Sequence, residues 1–493
     1  MCGIVGFTGR QNAAPILLEG LKKLEYRGYD SAGIAVCQNG MISVSKVSGR
    51  IANLCEKTEN GANMPGYSGI GHTRWATHGA PTDINAHPHM SCDGRFSIVH
   101  NGIIENYLEL REELIANGYT FRSQTDTEVI VHLLEMYYDG DFKAAVMKTT
   151  SRLEGSYAIG VLCADCPGTI MAVREASPLI LGIGVGESFF ASDVTALVAY
   201  TRNTIYLDDG EFAELTPERI TVYDCTGTAI QKPVSRITWS VEAAEKGGYE
   251  HFMLKEIMEQ PRAVKSALAP RIQNDQIQLD DFSFTKEDLR GIKKIVVTAC
   301  GSAYYAGCAG KYAIEKLCHI PVDVQLASEL RYGEPQIDSG TLLIVLSQSG
   351  ETADTIAAMK ECQSLGARVL AIVNVVGSTI AKLADNTLYT WAGPEIAVAT
   401  TKGYTTQLSV LYLFAVYAAH TMELLSQQEY LRLIRELQSI PQKIQQTLDM
   451  NITLPQLAKK YNTGHSMFYI GRNTDYAAAL EGALKMKDRK SVV

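Results

Sequence analysis

The sequence predicts two joined architectures: an α+β front half of stacked antiparallel sheets with helices, and an α/β back half with parallel sheets of doubly wound type. Three observations carry this. Short β-like runs crowd the chain as far as residue 240, its texture changes near Trp239, and from Lys293 fully apolar strands alternate with small-residue loops and helices.

The front runs are "CGIVGFTG", "SAGIAVC", "MISVSKVSG", "SGIGHTRWAT", "FSIVHNGIIEN", "SYAIGVLC", "TIMAVREA", "LILGIG", "SFFASD", "TIYLDDGEFAELT" and "RITVYD". Two amphipathic helical stretches lie among them, "APILLEGLKKLEY" and "DTEVIVHLLEMYYDGDFKAAVMKTTSRL". Next, "EAAEKGGYEHFMLKEIMEQP" is charged, carries a Gly-Gly pair, and reads as a linker and a helix ending at Pro261. "KKIVVTACGSAYYAGCAGKYAIEKL" is a buried strand, a small-residue loop and a helix, and "TLLIVLSQSGETADTIAAMKECQSLGARVLAIVNV" repeats that plan. After the helical stretches "TTQLSVLYLFAVYAAHTMELL" and "QQEYLRLIRELQSIPQKIQQTL", "SMFYIGRNTDYAAALEGALKMK" reads as strand, loop and helix once more. The starts at Lys293 and Met467 lie 174 residues apart, as in a second copy of one domain. The expected organisation is 1–240, a front domain; 241–285, linker and connecting helices; 286–455, a first α/β domain; and 456–493, the start of a second. One strand and one helix cannot bury both faces of a parallel strand, so the second copy is expected to be incomplete and the chain truncated at "DRKSVV".

The length of 493 residues exceeds one core, and 46% hydrophobic with 20% charged residues fits a globular protein. A net charge of -9 argues against nucleic acid as a partner but leaves small anionic substrates open. No apolar run approaches the ~20 residues of a membrane helix, and the N-terminus lacks the pattern of a secretory signal. Eleven cysteines without framework spacing point to reduced thiols and a cytoplasmic setting. The single C-x-x-C, Cys163 to Cys166, has no second pair and reads as a strand end and loop rather than a zinc site.

Cys2 stands beside the amino terminus. Removal of Met1 would leave its α-amino group, with a pKa near ~8, as a base for its own thiol. Position alone does not separate this nucleophile from a core strand residue. Three stretches shift the balance. In "GHTRWATHG", Arg74 offers a guanidinium for a substrate carboxylate. In "HNGIIENY", the Asn101 side chain and the Gly102 N–H at the end of an apolar strand suit an oxyanion hole. In "SQTDTEVI", Asp126 either caps the following helix or receives a substrate ammonium. Together these groups describe hydrolysis of an amino-acid side-chain amide, with glutamine as the candidate substrate.

With "CGIVG", "LEYRGYDSAGIA" and "SQTDTE", these stretches resemble the glutamine–fructose-6-phosphate aminotransferase family, the glucosamine-6-phosphate synthases. The resemblance implies an N-terminal-nucleophile hydrolase fold at the front, with Cys2 as nucleophile and Asn101 and Gly102 as oxyanion hole. It implies that Arg74, Thr77, His78 and Asp126 hold glutamine, and that Trp75 is the gating tryptophan that shields the site and opens a route for ammonia. The "HPH" pair, His87 and His89, has a metal-like spacing, but the family uses no metal and no cofactor.

At the back, "LSQSGETADT" sits where a parallel strand gives way to a helix. The Ser347, Ser349 and Thr352 hydroxyls, the Gln348 amide and the helix start favour a phosphate, although such a loop also serves as a helix cap. "ACGSAYYAG" is a second loop of the kind, which favours a ligand site. These segments and "PEIAVATTKGYTTQ" resemble the sugar isomerase (SIS) fold of the same family. By that match Ser302, Ser347, Gln348, Ser349, Thr352, Val398 and Thr400 line a sugar-phosphate site, with Lys485 of "GALKMK" as a further candidate. The match runs to residue 487. The family's catalytic glutamate falls at Asp488, and its catalytic histidine and Schiff-base lysine have no counterpart.

The resemblance therefore implies transfer of ammonia from glutamine to fructose 6-phosphate. The products are glucosamine 6-phosphate and glutamate, in the first step of amino-sugar (UDP-N-acetylglucosamine) biosynthesis, by a homodimer joined through the isomerase half. A phosphoribosyl-type amidotransferase would need adjacent acidic residues before a Gly/Thr-rich loop, where this chain has "SQSGET". The remaining alternative is a glutaminase whose back half binds sugar phosphate without isomerase turnover.

Overall fold

The computed structural model describes residues 2–25, 28–76, 78–237, 246–279, 282–461 and 466–487. Thr77 and Asp488 lie outside them, as does the start of the expected linker. The chain divides into two units, Met1–Val241 and Glu242–Val493.

The first unit is a four-layer stack built on β1 (Gly3–Thr8), α1 (Ala13–Leu24), β2 (Ser31–Gln38), β3 (Met41–Ser48), β4 (Ser68–Arg74), β5 (Phe96–Ile104), α2 (Glu128–Tyr137) and β6 (Gly155–Cys163). One antiparallel sheet runs Ser235–Arg236, Asn203–Tyr206, Ile180–Ile183, Ser188–Ala191, β1, β4, β2, β3. The other runs Ala229–Ile230, Ile220–Tyr223, Phe212–Leu215, Ile170–Glu175, β6, β5, His89–Met90. Side chains alternate along each strand, so β1 sends Val5 and Phe7 toward α1 and Ile4 into the space between the sheets. There Ile4, Ile70, Val99, Leu162 and Phe190 form the inner core. The Phe190 ring occupies the place of a Cβ on Gly160 of the facing sheet, 2.1 Å from where one would stand, so the sheets close only over a glycine. Helices α1 and Ile51–Lys57 cover one outer face through Leu17, Leu21 and Leu54, and α2 covers the other through Val129, Ile130 and Leu133. Each such leucine contributes ~1.5–3 kcal/mol by leaving water. Burial on both faces is why the strands read as unbroken apolar runs.

The second unit holds α3 (Phe252–Leu268), β7 (Lys294–Ala299), α4 (Ser302–Cys318), β8 (Val322–Leu326), β9 (Thr341–Ser347), α5 (Ala353–Ser364), β10 (Arg368–Val373), β11 (Asn386–Tyr389), α6 (Lys402–Thr421), α7 (Gln427–Asp449) and α8 (Thr474–Met486). Its sheet is wholly parallel, in the order β8-β7-β9-β10-β11. Along β9, Leu342, Ile344 and Leu346 enter the core beneath α4 and α6, while Leu343 and Val345 enter the core beneath α5. Helices therefore cover both faces, as doubly wound sheets require.

Three expectations are corrected. The stretch "DTEV…SRL" is two helices, Glu128–Tyr137 and Phe142–Thr150, the second capped by the Asp141 side chain accepting from Ala144 N at 3.0 Å. The connecting helix does not end at Pro261 but runs through it to Leu268. Proline cannot donate to the Ile257 carbonyl, and the neighbouring Gln260 Nε2 donates there instead at 3.0 Å. Finally, "SMFYI" forms no strand: Phe468 and Ile470 are about nine-tenths exposed, and no described strand lies alongside to pair with them.

Candidate active site

Antiparallel pairing of Gly3 with Thr73 sets Cys2, one residue before β1, opposite Arg74 at the end of β4. The chain leaves β4 at Trp75, whose N–H donates to Cys2 Sγ at 3.3 Å, while the thiol lies 3.5 Å from the Trp75 carbonyl. From the second sheet, β5 brings Asn101, whose Nδ2 donates to the Cys2 carbonyl at 3.1 Å. Gly102 follows with φ +130°, and a Cβ there would stand 1.9 Å from the Ser156 carbonyl oxygen. Backbone and side-chain donors thus converge beside a partly exposed thiol.

Arg74 is buried and donates to the carbonyls of His78, Gly79 and Ala80, folding the following loop over its guanidinium. Burial pushes its pKa down, and the charges of Cys2, Asp126 and Asp30 oppose that shift. Asp126 does not cap α2. Its Oδ2 accepts from Ile104 N at 2.9 Å, and its Oδ1 lies 3.9 Å from His78 Nδ1. The Trp75 ring meets Tyr29 edge-on at 5.5 Å, and His78 meets Tyr107 at 5.4 Å.

Sequence reasoning left several supporting groups unassigned. Asp30, within "LEYRGYDSAGIA", accepts from Ala76 N at 2.8 Å and holds the same loop. Ser192 Oγ accepts from Ile4 N at 3.1 Å. His72, His87, His89 and His100 form one buried group, with His72 and His87 rings 4.0 Å apart. Burial drives all of them below the usual imidazole range, His89 to about 3, so they are neutral hydrogen-bonding groups at pH 7. His100 Nδ1 pairs with Thr127 Oγ1 at 2.8 Å, joining the strand of Asn101 to the turn of Asp126. The two histidines of "HPH" pack edge-on against each other, with ring centres 4.7 Å apart.

In the second unit, β7 and β9 are neighbours although β8 lies between them in sequence, so the chain reverses its direction of winding there. The crevice at the carboxyl ends of two such strands is where doubly wound sheets bind ligands. Both loops read from the sequence fall in it: Ser302 opens α4 after β7, and Ser347 to Thr352 link β9 to α5. Ser347 Oγ accepts from Gly350 N at 3.0 Å and lies 3.3 Å from Thr352 Oγ1. Thr352 makes no side-chain cap bond, so the loop is not a simple helix cap. Lys485 Nζ, from α8, donates to Ser302 Oγ at 2.7 Å and pairs with Glu481 at 2.6 Å. Thr400 Oγ1 donates to Glu395, which also accepts from Thr401 N at 2.8 Å and Gly403 N at 3.0 Å. A Cβ on Gly403 would stand 3.1 Å from Gln348 Cγ, so this loop lies against the Ser347 loop. Val398 is half exposed. No motif points to Glu256 on α3, whose carboxylate accepts from Ile396 N at 2.6 Å and Ala397 N at 3.1 Å and anchors the same loop.

The fold and its two sites define a cysteine-bearing amidotransferase unit joined to a sugar isomerase unit. The glutamine amidotransferase domain family matches residues 72–199, and the SIS domain family matches residues 288–417. The glutamine–fructose-6-phosphate aminotransferase (isomerizing) of Caldanaerobacter subterraneus subsp. tengcongensis is 55% identical over 489 residues, 99% of this chain and 80% of that relative. The enzyme of that name from Clostridium tetani is 53% identical over the same shares. A solved C-terminal domain of glucosamine-fructose-6-phosphate aminotransferase from Francisella tularensis covers 50% of this chain and 70% of its own, at 36% identity and TM-score 0.48. The chain belongs to the glutamine–fructose-6-phosphate aminotransferase (isomerizing) family. Among the described residues no helix is long and apolar enough to cross a membrane.

Proposed function

We propose that this protein is a glutamine-dependent amidotransferase that converts fructose 6-phosphate and glutamine to glucosamine 6-phosphate and glutamate. The observation that carries the reading is likeness to enzymes of that name over 99% of the chain. The convergence of Cys2, Arg74, Asn101 and Asp126 supports the roles that follow.

Once Met1 is removed, the Cys2 α-amine takes the thiol proton, and the sulfur attacks the glutamine side-chain carbonyl. Negative charge develops on that oxygen, where the Asn101 amide and the Gly102 N–H donate. The intermediate collapses to a thioester as the nitrogen, taking a proton from the α-ammonium, leaves as ammonia. Water then releases glutamate and restores the thiol. Arg74 binds the α-carboxylate in place of the loop carbonyls it now engages, Asp126 binds the α-ammonium, and Thr77, His78 and Trp75 close over the substrate. Ser302, Ser347, Gln348, Ser349, Thr352, Val398, Thr400 and Lys485 hold the sugar phosphate, whose ketone carbon accepts the ammonia. The enzyme works in the cytoplasm as a homodimer joined through its isomerase half, on small molecules rather than nucleic acid or membranes.

The test is glutamine-dependent glucosamine 6-phosphate formation. Cys2→Ala is expected to abolish it, and an N-terminal tag that blocks the α-amine is expected to do the same. Product formation by Cys2→Ala would overturn the assignment.

A further inference from the structure

We propose that Cys92, His132 and Glu135 form a site for one borderline-soft divalent cation, with zinc preferred, at which a thiolate, an imidazole and a carboxylate leave a fourth position for water. His132 and Glu135 stand three residues apart on α2 and so share a face. The turn between His89–Met90 and β5 brings Cys92 over that face. Cys92 Sγ lies 3.8 Å from His132 Nδ1, which lies 3.7 Å from Glu135 Oε2, and the three donor atoms fall within 4.8 Å of one another. Around a tetrahedral zinc, bonds of ~2.3 Å to sulfur and ~2.0–2.1 Å to nitrogen and oxygen place donors roughly 3.3–3.6 Å apart. The two distances to His132 Nδ1 are within a few tenths of an ångström of these values, and the thiol and carboxylate need only close from a separation of at most 4.8 Å.

The surroundings are built rather than accidental. Cys92 N donates to Glu135 Oε2 at 2.8 Å, which fixes the turn against the helix without the cation. The thiol's other neighbour is the Thr120 carbonyl at 3.7 Å, a weak contact to give up. His132 is buried, with the Tyr119 ring at 5.5 Å and the Phe121 ring at 4.8 Å, so the imidazole sits in apolar walls. Its far nitrogen, Nε2, lies 3.6 Å from Glu128 Oε1 without a formed hydrogen bond. A carboxylate behind a ligating histidine selects the tautomer that frees the other nitrogen for metal. Glu128 is itself held by Arg122 N at 2.8 Å, Ser123 N at 2.6 Å and Ser123 Oγ at 2.6 Å. Cys92 is exposed, which provides an entry path. The mixed sulfur, nitrogen and oxygen donors suit zinc over magnesium or calcium, which prefer oxygen alone.

The experiment is an anaerobic titration of the full chain with cobalt(II) as a spectroscopic probe, followed by competition with zinc. One equivalent is expected to give a thiolate-to-cobalt charge-transfer band, which zinc removes. Cys92→Ser should lose the band, Cys2→Ala should keep it, and Glu135→Gln should weaken binding by ~100-fold or more, beyond the usual effect of an outer-shell change. Circular dichroism and thermal midpoint in excess chelator should match between wild type and Cys92→Ser. If that variant fails to fold, alkylation of the wild type decides: zinc should protect Cys92 and leave the exposed Cys225 reactive. A band that survives Cys92→Ser or is lost in Cys2→Ala, absence of stoichiometric binding, or unprotected Cys92 would each overturn the site.

Discussion

Gly102 shows how tightly a single position can be dictated by its surroundings. Its φ of +130° is one that residues with a Cβ rarely adopt, and the Ser156 carbonyl fills the side-chain space. Gly102→Ala must therefore move strand β5, and with it the N–H proposed to face the oxyanion. The expected outcome is loss of glutaminase activity with a stability loss of ~1–3 kcal/mol, read from denaturant melts. Asn101 separates chemistry from folding more cleanly. Asn101→Ala should lower kcat for glutamine hydrolysis by ~10²–10³ while KM moves only a few-fold. Arg74→Ala should do the reverse and raise KM, because its proposed partner is a carboxylate that does not react. A larger effect of Asn101→Ala on KM than on kcat would remove it from the oxyanion hole. At this scale the sequence exposed residue types but not geometry. The spacing of Asp126 ahead of α2 fitted a cap as well as a ligand, and only the bond from Ile104 N excludes the cap.

At the scale of elements, legibility failed where side chains substitute for backbone. A proline normally closes a helix because its nitrogen cannot donate, yet α3 continues past Pro261 with Gln260 serving the Ile257 carbonyl. Gln260→Ala should cost about 1 kcal/mol and leave the helix otherwise intact, checked by urea melts and circular dichroism. One turn earlier, the same helix carries Glu256. Burial pushes its carboxyl up to about 7 against the Ile396 and Ala397 amides that favour the anion, and Glu395 adds to the rise. The folded carboxyl therefore binds its proton more tightly than an unfolded one near ~4.3. Its stabilisation is complete below the unfolded value and is lost as pH rises through about 7. Over that window the loss is at most on the order of 4 kcal/mol, at 1.36 kcal/mol per pKa unit. Urea melts between pH 5 and 7.5 should show the wild type losing stability relative to Glu256→Gln as pH rises. Parallel curves would rule out the buried proton. Nothing in "KEIMEQP" signalled this, because the partners are backbone amides 140 residues away.

For the whole molecule, what could be read was periodicity and what could not was pairing. Unbroken apolar runs announced strands buried on both faces, and strand–loop–helix repeats announced the parallel sheet. Neither shows that β1 pairs with both β4 and Ser188–Ala191, because such partners are joined only by the closed sheet. Apolar texture also misled at "SMFYI", since a strand needs a neighbour as well as a composition. The paired sheets have a consequence that can be measured. Among the described residues, the three apolar clusters built from residues 4 to 230 take no member from beyond Val241, and the described residues proposed for glutamine hydrolysis lie among the same elements. A fragment ending at Ile237 should therefore fold with one cooperative thermal transition and release ammonia from glutamine without fructose 6-phosphate. Cys2→Ala in that fragment should abolish the release without moving the transition by more than a few degrees, because Cys2 precedes β1 and belongs to none of the clusters. A fragment that melts without cooperativity would show that the stacked sheets depend on the second unit. One that folds but releases no ammonia would show that the thiol site does.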